Sequence, residues 1–463
     1  MMDRVCARRR GRLSACVGAL LIGSIASVDS APGPAGSQHV DSAVLALGIN
    51  PRPVALVRPP VQRLSAMAQL GRKLFYDPRL SGSGRLSCSS CHDPAHAYGP
   101  AGANSVMIGG RDMRTAGVRA VPSLRYLYRQ PAFGIGADTS GDNDMPPSLQ
   151  QQARTAFGHE RVLKTATAPQ AAAVNLVPQG GIFWDGRADT LQQQANGPLF
   201  NPAEMAATTP ADVTKQIAHA EYADDVRRLF GPNIFQDPKQ AVAEAMFAIA
   251  RYQIEDESFH PFTSKYDAWL AGKTRLTAAE ARGYLAFDDP TRGNCAACHL
   301  DKPTRDRLPP LFTDFQYEAL GVPRNAAIPA NSDTGYYDLG ICGPYRKDMR
   351  DQVQYCGMFL TPSLRNVATR KVFFHNGVFH SLQDVLEWYV DRDLEPARFY
   401  RRDAGGAVVK YDDLPAQFRA NVDTSDAPFD RRPGDPPALS KQDIRDIIAF
   451  LGTLNDGYGS AGQ

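Results

Sequence analysis

Two pentapeptides of the form Cys-x-x-Cys-His constrain this 463-residue chain more than anything else in it: Cys88-Ser89-Ser90-Cys91-His92 and Cys295-Ala296-Ala297-Cys298-His299. In each, two thiols three positions apart can add to the two vinyl groups of one haem. The next residue then swings its imidazole onto the iron. Structural zinc on four cysteines is the rival chemistry. Zinc ribbons separate their cysteine pairs by roughly 15–20 residues, whereas these pairs stand about 200 apart. Zinc also gives no reason for a histidine directly after both pairs. The motifs therefore predict two covalent c-type haems, attached at Cys88, Cys91, Cys295 and Cys298, with His92 and His299 as iron ligands.

The formal charge of +2 comes from the first 30 residues, where Arg4, Arg8, Arg9, Arg10 and Arg12 face only Asp3 and Asp29. The rest of the chain is slightly acidic, and nothing in it suggests a nucleic-acid partner. Residues 1–30 read as a signal peptide: a basic stretch, an apolar core around Val17 to Ile25, and small residues near Ala26 to Ala31. That apolar run is too short for a membrane span. Covalent haem is added after export, so the expected compartment is a bacterial periplasm. Residues 31–62, rich in Pro, Ala and Gly, read as a flexible leader. Cys6 and Cys16 leave with the signal, and four cysteines take haem. Cys342 and Cys356 remain, an even pair that an oxidising compartment favours as a disulfide, with two buried thiols as the alternative.

A duplication orders the rest. A helix ends in Gly71-Arg72-Lys73-Leu74-Phe75 and is followed by Tyr76-Asp77-Pro78 and the first motif. A second helix opens with the capping box Thr277-Ala278-Ala279-Glu280, runs through Gly283, Leu285 and Phe287 to Asp288-Asp289-Pro290, and leads to the second motif. Helix, short turn and Cys-x-x-Cys-His is how a small cytochrome c fold begins. A closing helix is expected at 440–454, capped by Ser440 and Asp443, with Ile444, Ile447, Ile448 and Leu451 on one face. One arrangement packs it back onto the first domain. The fold class is mainly α: two cytochrome c-like haem domains, at 63–275 and 276–455, with long loops. Residues 129–180 read as an insertion whose acidic stretch, Asp138, Asp142 and Asp144, lacks the spacing of a calcium-binding EF-hand and is expected to be a solvated loop.

Several ordered blocks around the two motifs resemble the bacterial dihaem cytochrome c peroxidase superfamily, which includes MauG. They are Leu70-Gly71 with Leu74-Phe75-Tyr76-Asp77-Pro78-Arg79-Leu80-Ser81-Gly82; Phe183-Trp184-Asp185-Gly186-Arg187-Ala188; Gln194-Ala195-Asn196-Gly197-Pro198 with Asn201-Pro202-Ala203-Glu204-Met205; Thr361-Pro362-Ser363-Leu364-Arg365-Asn366-Val367; and Phe374-His375-Asn376-Gly377. The resemblance implies two-electron reduction of hydrogen peroxide, with a peroxidatic first haem and an electron-transfer second haem. It implies Glu204 as acid and base for O–O cleavage, Gln194 as a hydrogen-bond partner of the bound oxygen, Pro198 as a pocket wall, and Trp184 as the bridge between the haems.

The sixth ligands decide the mechanism. In the branch that must be reduced before it works, a histidine caps the first iron. That position falls on Gly110 here, so the first haem is expected open, with Met107, His96 and His159 as rival ligands. The second haem takes a Met in ordinary relatives and a Tyr in MauG. The matching residue is Tyr389, with Met358 as its rival. A phenolate stabilises ferric and higher states where a thioether favours ferrous iron, so the second haem is expected to share a high-valent state. Calcium between the haems is usual in the family, but the expected Asn is replaced by Ala120, beside Arg119, which argues against it.

Two enzymatic readings result. One is a periplasmic peroxidase fed by a small electron-donor protein such as a cytochrome c or cupredoxin. The other is a MauG-like enzyme oxidising Trp residues of a partner protein. The second needs a surface Trp just before the second motif, where this chain has Gly293; Trp269 and Trp388 are the other tryptophans. A plain electron carrier needs two closed irons, against which Gly110 argues. The resemblance also allows a homodimer.

Overall fold

The computed structural model describes residues 42–138 and 176–459. The signal segment, His159, Asp142 and Asp144 lie outside the described residues.

Two helix pairs, built alike, organise the chain. Helix α1 (Ala66–Phe75) starts where the Ser65 hydroxyl accepts the Ala68 N–H, and it buries Leu70, Leu74 and Phe75. It leads through the Asp77-capped turn Pro78–Leu80 to the first Cys motif. After it come α2 (Leu191–Phe200), α3 (Pro210–Ala218), α4 (Ala223–Phe230) and α5 (Pro238–Glu255). Helix α5 has Pro at its first position and Asp237 as N-cap, a strong start signal. It crosses α1 at Gly71, where a Cβ would fall 1.8 Å from the Ala248 carbonyl oxygen. Beyond α6 (Lys265–Leu270) lies the second pair: α7 (Ala278–Asp288), with the Thr277–Glu280 capping box, and, after α8 (Leu382–Asp391), α9 (Lys441–Gly452), with the Ser440–Asp443 box. They cross at Gly283, where a Cβ would fall 1.9 Å from the Asp446 carbonyl oxygen. Each crossing thus depends on a glycine at the same place in its opening helix.

Each pair carries its own core. Leu70, Leu74, Phe75, Val242, Met246 and Ile249 anchor one; Tyr284, Phe287, Ile444, Ile447 and Phe450 anchor the other. Strands are few and short. Among the described residues, β1 (Ile108–Gly109) pairs with β2 (Thr115–Ala116), β3 (Gly134–Ala137) with β4 (Leu176–Gln179), and β5 (Tyr317–Glu318) with β6 (Phe359–Leu360), all antiparallel. Cys342 and Cys356 are joined as a disulfide.

Four expectations change. The closing helix α9 packs on α7, within the second unit; the residue that returns to the first is Asp456, which accepts hydrogen bonds from Arg125 and the Tyr126 hydroxyl. The leader is not loose from residue 42 onward. Val44 is fully buried in the second core, and the Val54 and Val57 N–H groups bond to the Leu270 and Arg307 carbonyls. Helix α6 belongs to the second core rather than the first, because the Tyr266 and Trp269 rings pack tilted or edge-to-face against Tyr284 and Phe450. The ends of the 129–180 insertion are built in as well. Ladder β3–β4 joins them, and Gly180 donates to the Phe315 carbonyl in the second unit.

Candidate haem sites

Each Cys-x-x-Cys-His motif forms a single tight turn. The His92 N–H bonds to the Cys88 carbonyl and the His299 N–H to that of Cys295. The four thiols are unpaired. Burial pushes Cys88 up to about 12, Cys91 to about 11 and Cys295 to about 12, and raises Cys298 as well. His92 Nδ1 lies 3.0 Å from the Tyr98 carbonyl oxygen and His299 Nδ1 lies 2.9 Å from that of Phe312. Both carbonyls are turned inward by a left-handed residue, φ 54° at Tyr98 and 56° at Phe312. Donation from Nδ1 leaves the Nε2 lone pair for iron, the usual arrangement of a ligating histidine. Burial lowers both imidazoles to about 4, so they are neutral near pH 7.

One largely apolar cavity runs between the motifs, lined by Cys88, Cys91 and His92 on one side and Cys295, Cys298 and His299 on the other. Among the described residues no three His, Cys, Asp or Glu side chains converge to hold a metal ion, so the cysteine pairs are not gathered as zinc would need. Paired thiols, a neutral imidazole and an apolar cavity fit haem at both places.

The faces opposite the histidines are also duplicated. In the first unit, Ile182 bridges Ala188 around a loop with positive φ at Phe183 and Gly186; Thr190 then caps α2. In the second, Phe373 bridges Phe379 around a loop with positive φ at Phe374 and Gly377; Ser381 then caps α8. In this register Trp184 matches His375, Gln194 matches Val385, and Pro198 matches Tyr389, and all six line the cavity. Where α8 presents a phenol, α2 presents a proline ring with no ligating atom. Tyr389 is packed between Phe374 and Phe429, and burial, with the Cys295 and Cys298 thiols nearby, raises its phenol. Its rival Met358 does not line the cavity. Met107 does, but His96 does not; its Nδ1 lies 2.8 Å from Asp93. Gly110 sits in the β1–β2 turn at φ +81°, where a Cβ would meet Thr115 Oγ1 at 2.7 Å, so this turn does not accept a histidine.

Glu204 joins Gln194 and Pro198 on the wall of the first site. Burial raises its carboxyl; the Arg187 charge and an Asn201 amide donating to Oε1 at 2.5 Å act the other way. Arg187 also lines the cavity, stacked 3.6 Å over the Phe183 ring and bonded to Asp185. Arg187 belongs to the Phe183–Ala188 block, but nothing in that block's sequence says where its guanidinium points. Trp184 lies between the units. Its indole N–H donates to the Ala120 carbonyl at 2.9 Å, and its own carbonyl accepts the Leu360 N–H at 2.9 Å. Beside it, buried Arg119 pairs with Asp185 at 2.8 Å and Asp338 at 2.6 Å. That clamp was not foreseen, because its three members are far apart in sequence. Gly293 stands against Cys295, and a Cβ there would lie 2.6 Å from the Ala286 carbonyl oxygen. Trp269 and Trp388 are both buried in the second unit.

Two Cys-x-x-Cys-His turns on one shared cavity, with a carboxylate on one wall and a phenol on another, fit a di-haem redox enzyme. Residues 65–275 match the family model described as di-haem cytochrome c peroxidase. The methylamine utilization protein MauG of Paracoccus denitrificans is 35% identical over 332 residues, covering 70% of this chain and 74% of that protein. The cytochrome c551 peroxidase of Nitrosomonas europaea is 26% identical, covering 76% of this chain and 80% of that one. The diheme peroxidase BthA of Burkholderia thailandensis superposes with a TM-score of 0.72 at 35% identity, covering 87% and 90% of the two chains. The chain belongs to the di-haem cytochrome c peroxidase and MauG family, and it is an oxidoreductase acting on peroxide.

Proposed function

We propose that the protein is a dihaem c-type peroxidase that takes two electrons and two protons to convert hydrogen peroxide to two molecules of water, with its two units acting as cytochrome c-like haem domains. When bound, the haems supply the iron that meets peroxide and stores the oxidising equivalents. Everything else falls to the chain. His92 and His299, neutral and fixed through Nδ1, would each offer Nε2 to one haem iron. Pro198 keeps the face opposite His92 free of a protein ligand. Gln194 donates a hydrogen bond there. Glu204 takes the proton from the near peroxide oxygen and returns it to the departing one. Arg187 keeps that carboxylate available. Tyr389 is the second site's phenol ligand, and Trp184, tied to both units, is the bridge between the sites.

The observation that carries this reading is the shared register of α2 and α8, with Pro198 in one and Tyr389 in the other. General acid–base groups contribute about 10²–10⁴-fold. Glu204→Gln is therefore expected to slow peroxide cleavage by at least about 10²-fold in stopped-flow spectra; an unchanged rate would remove Glu204 from the mechanism.

A second reading, oxidation of Trp residues on a partner protein, is favoured by the 35% identity to a MauG. Gly293 and the burial of Trp269 and Trp388 leave it without an obvious outward path through tryptophan. The peroxidase reading places the enzyme in the periplasm, supplied by a small cytochrome or cupredoxin. Among the described residues no helix is long and apolar enough to cross a membrane.

A further inference from the structure

The two units satisfy one matched backbone carbonyl in different ways. The segment Val121-Pro122-Ser123-Leu124-Arg125 corresponds to Thr361-Pro362-Ser363-Leu364-Arg365. In each, the serine hydroxyl donates to a proximal-loop carbonyl, Ser123 to Ala97 and Ser363 to Leu311, both at 2.6 Å. In the second unit the Thr361 carbonyl accepts a neutral hydroxyl from Thr313 at 2.7 Å. The residue matching Thr313 in the first unit is Gly99, which has no side chain. The Val121 carbonyl instead accepts from Arg370 Nη2 at 2.9 Å, across the boundary between the units. Gly99 makes the room for this: a Cβ there would lie 3.2 Å from Arg370 Nη1. In the first unit, Gln130 stands in the position that corresponds to Arg370.

A hydroxyl is enough for the carbonyl, so the charge needs another reason. Among the described residues the Arg370 guanidinium donates to the carbonyls of Val121 and Val372, and no carboxylate pairs with it. It lines the cavity, and its charge is felt at His92. Burial pulls it down to about 10. A desolvated guanidinium is costly without an anion, and its planar fork matches a carboxylate.

We propose that Arg370 is the carboxylate-binding cation of the first haem site, pairing from the second unit with a propionate of the haem that Cys88, Cys91 and His92 hold. This rests on the haem-site reading above. The pair ties the first haem's charge to the boundary between the units, and it makes the two sites electrostatically unequal. A fixed cation disfavours the more positive ferric state and keeps the propionate ionised, so its loss lowers the first haem's reduction potential.

The test is spectroelectrochemical titration of the holoprotein over a series of pH values, comparing the natural chain with Arg370→Gln and Arg370→Lys. The expected result is a first-haem potential that is flat through neutral pH in the natural chain. In Arg370→Gln it is lower and gains a pH-dependent step, while the second haem is unmoved and Lys restores part of the shift. An unchanged first-haem potential, or equal shifts at both haems, would overturn the pairing. If Arg370→Gln does not mature, the natural chain still decides: a propionate-linked step near neutrality contradicts the pairing, and its absence together with a propionate-band shift in resonance Raman of Arg370→Lys supports it. Haem content of the natural chain, measured separately as pyridine haemochrome, tests the underlying reading; fewer than two haems per chain would sink that reading on its own.

Discussion

Glu204 carries opposing influences. Burial favours its protonated form, while Arg187 and the Asn201 amide favour the carboxylate. Only the carboxylate can take the peroxide proton, so peroxide cleavage should accelerate as pH rises through the raised Glu204 pKa. Arg187→Leu removes a cation that lowers that pKa, so the rising limb should move to higher pH in stopped-flow rates; a limb that stays in place would separate Arg187 from Glu204. At the second site, Tyr389→Met exchanges a hard anionic donor for a thioether and should raise that haem's potential, read by redox titration. An unchanged potential would mean that Tyr389 is no ligand. The family resemblance singled out both residues, Glu204 by its spacing from Gln194 and Pro198 and Tyr389 by its distance from His375, and both line the cavity. Arg187 stood in the same block but gave no sign of its direction. Arg119 and Arg370 were not legible at all, since each acts across the boundary between units, and sequence spacing carries no information about that.

At the scale of elements, the crossing glycines matter most. A methyl at Gly71 would overlap the Ala248 carbonyl, and one at Gly283 would overlap that of Asp446. Overpacking of this kind costs about 1–3 kcal/mol, so Gly71→Ala and Gly283→Ala should each lower the unfolding free energy by that amount in denaturant titration; equal stability to the natural chain would mean that the helices can part at no cost. The opening helices, the second motif's capping box and helix α9 were readable from caps and apolar spacing. Helix α5 was not, because its buried residues, from Ala241 and Val242 to Ile249 and Ala250, spread over much of its circumference and leave no narrow stripe. The leader misled for a related reason: Pro-rich composition suggested looseness, while Val44 and a few backbone hydrogen bonds hold residues 44–57 to the second unit.

For the whole molecule, the question is how two haem sites are kept in register. Trp184 bonds to Ala120 on one side and Leu360 on the other, and Arg119 fixes Asp185 next to it against Asp338. Arg119→Ala strands buried Asp338 and leaves Asp185 to Arg187 alone, a loss of about 3–5 kcal/mol. It should destabilise the chain in denaturant titration and weaken communication between the sites; a fully stable variant would show that the clamp does not hold the boundary. The central claim is that the first site is open and the second is closed by a phenol, as Pro198 and Tyr389 stand in their matched helices. Adding stoichiometric hydrogen peroxide to the purified diferric protein, followed by stopped-flow Soret and near-infrared absorption, tests it most directly. The account predicts a fast change at both haems, with a near-infrared band, without prior reduction. No reaction until one haem has been reduced would contradict it.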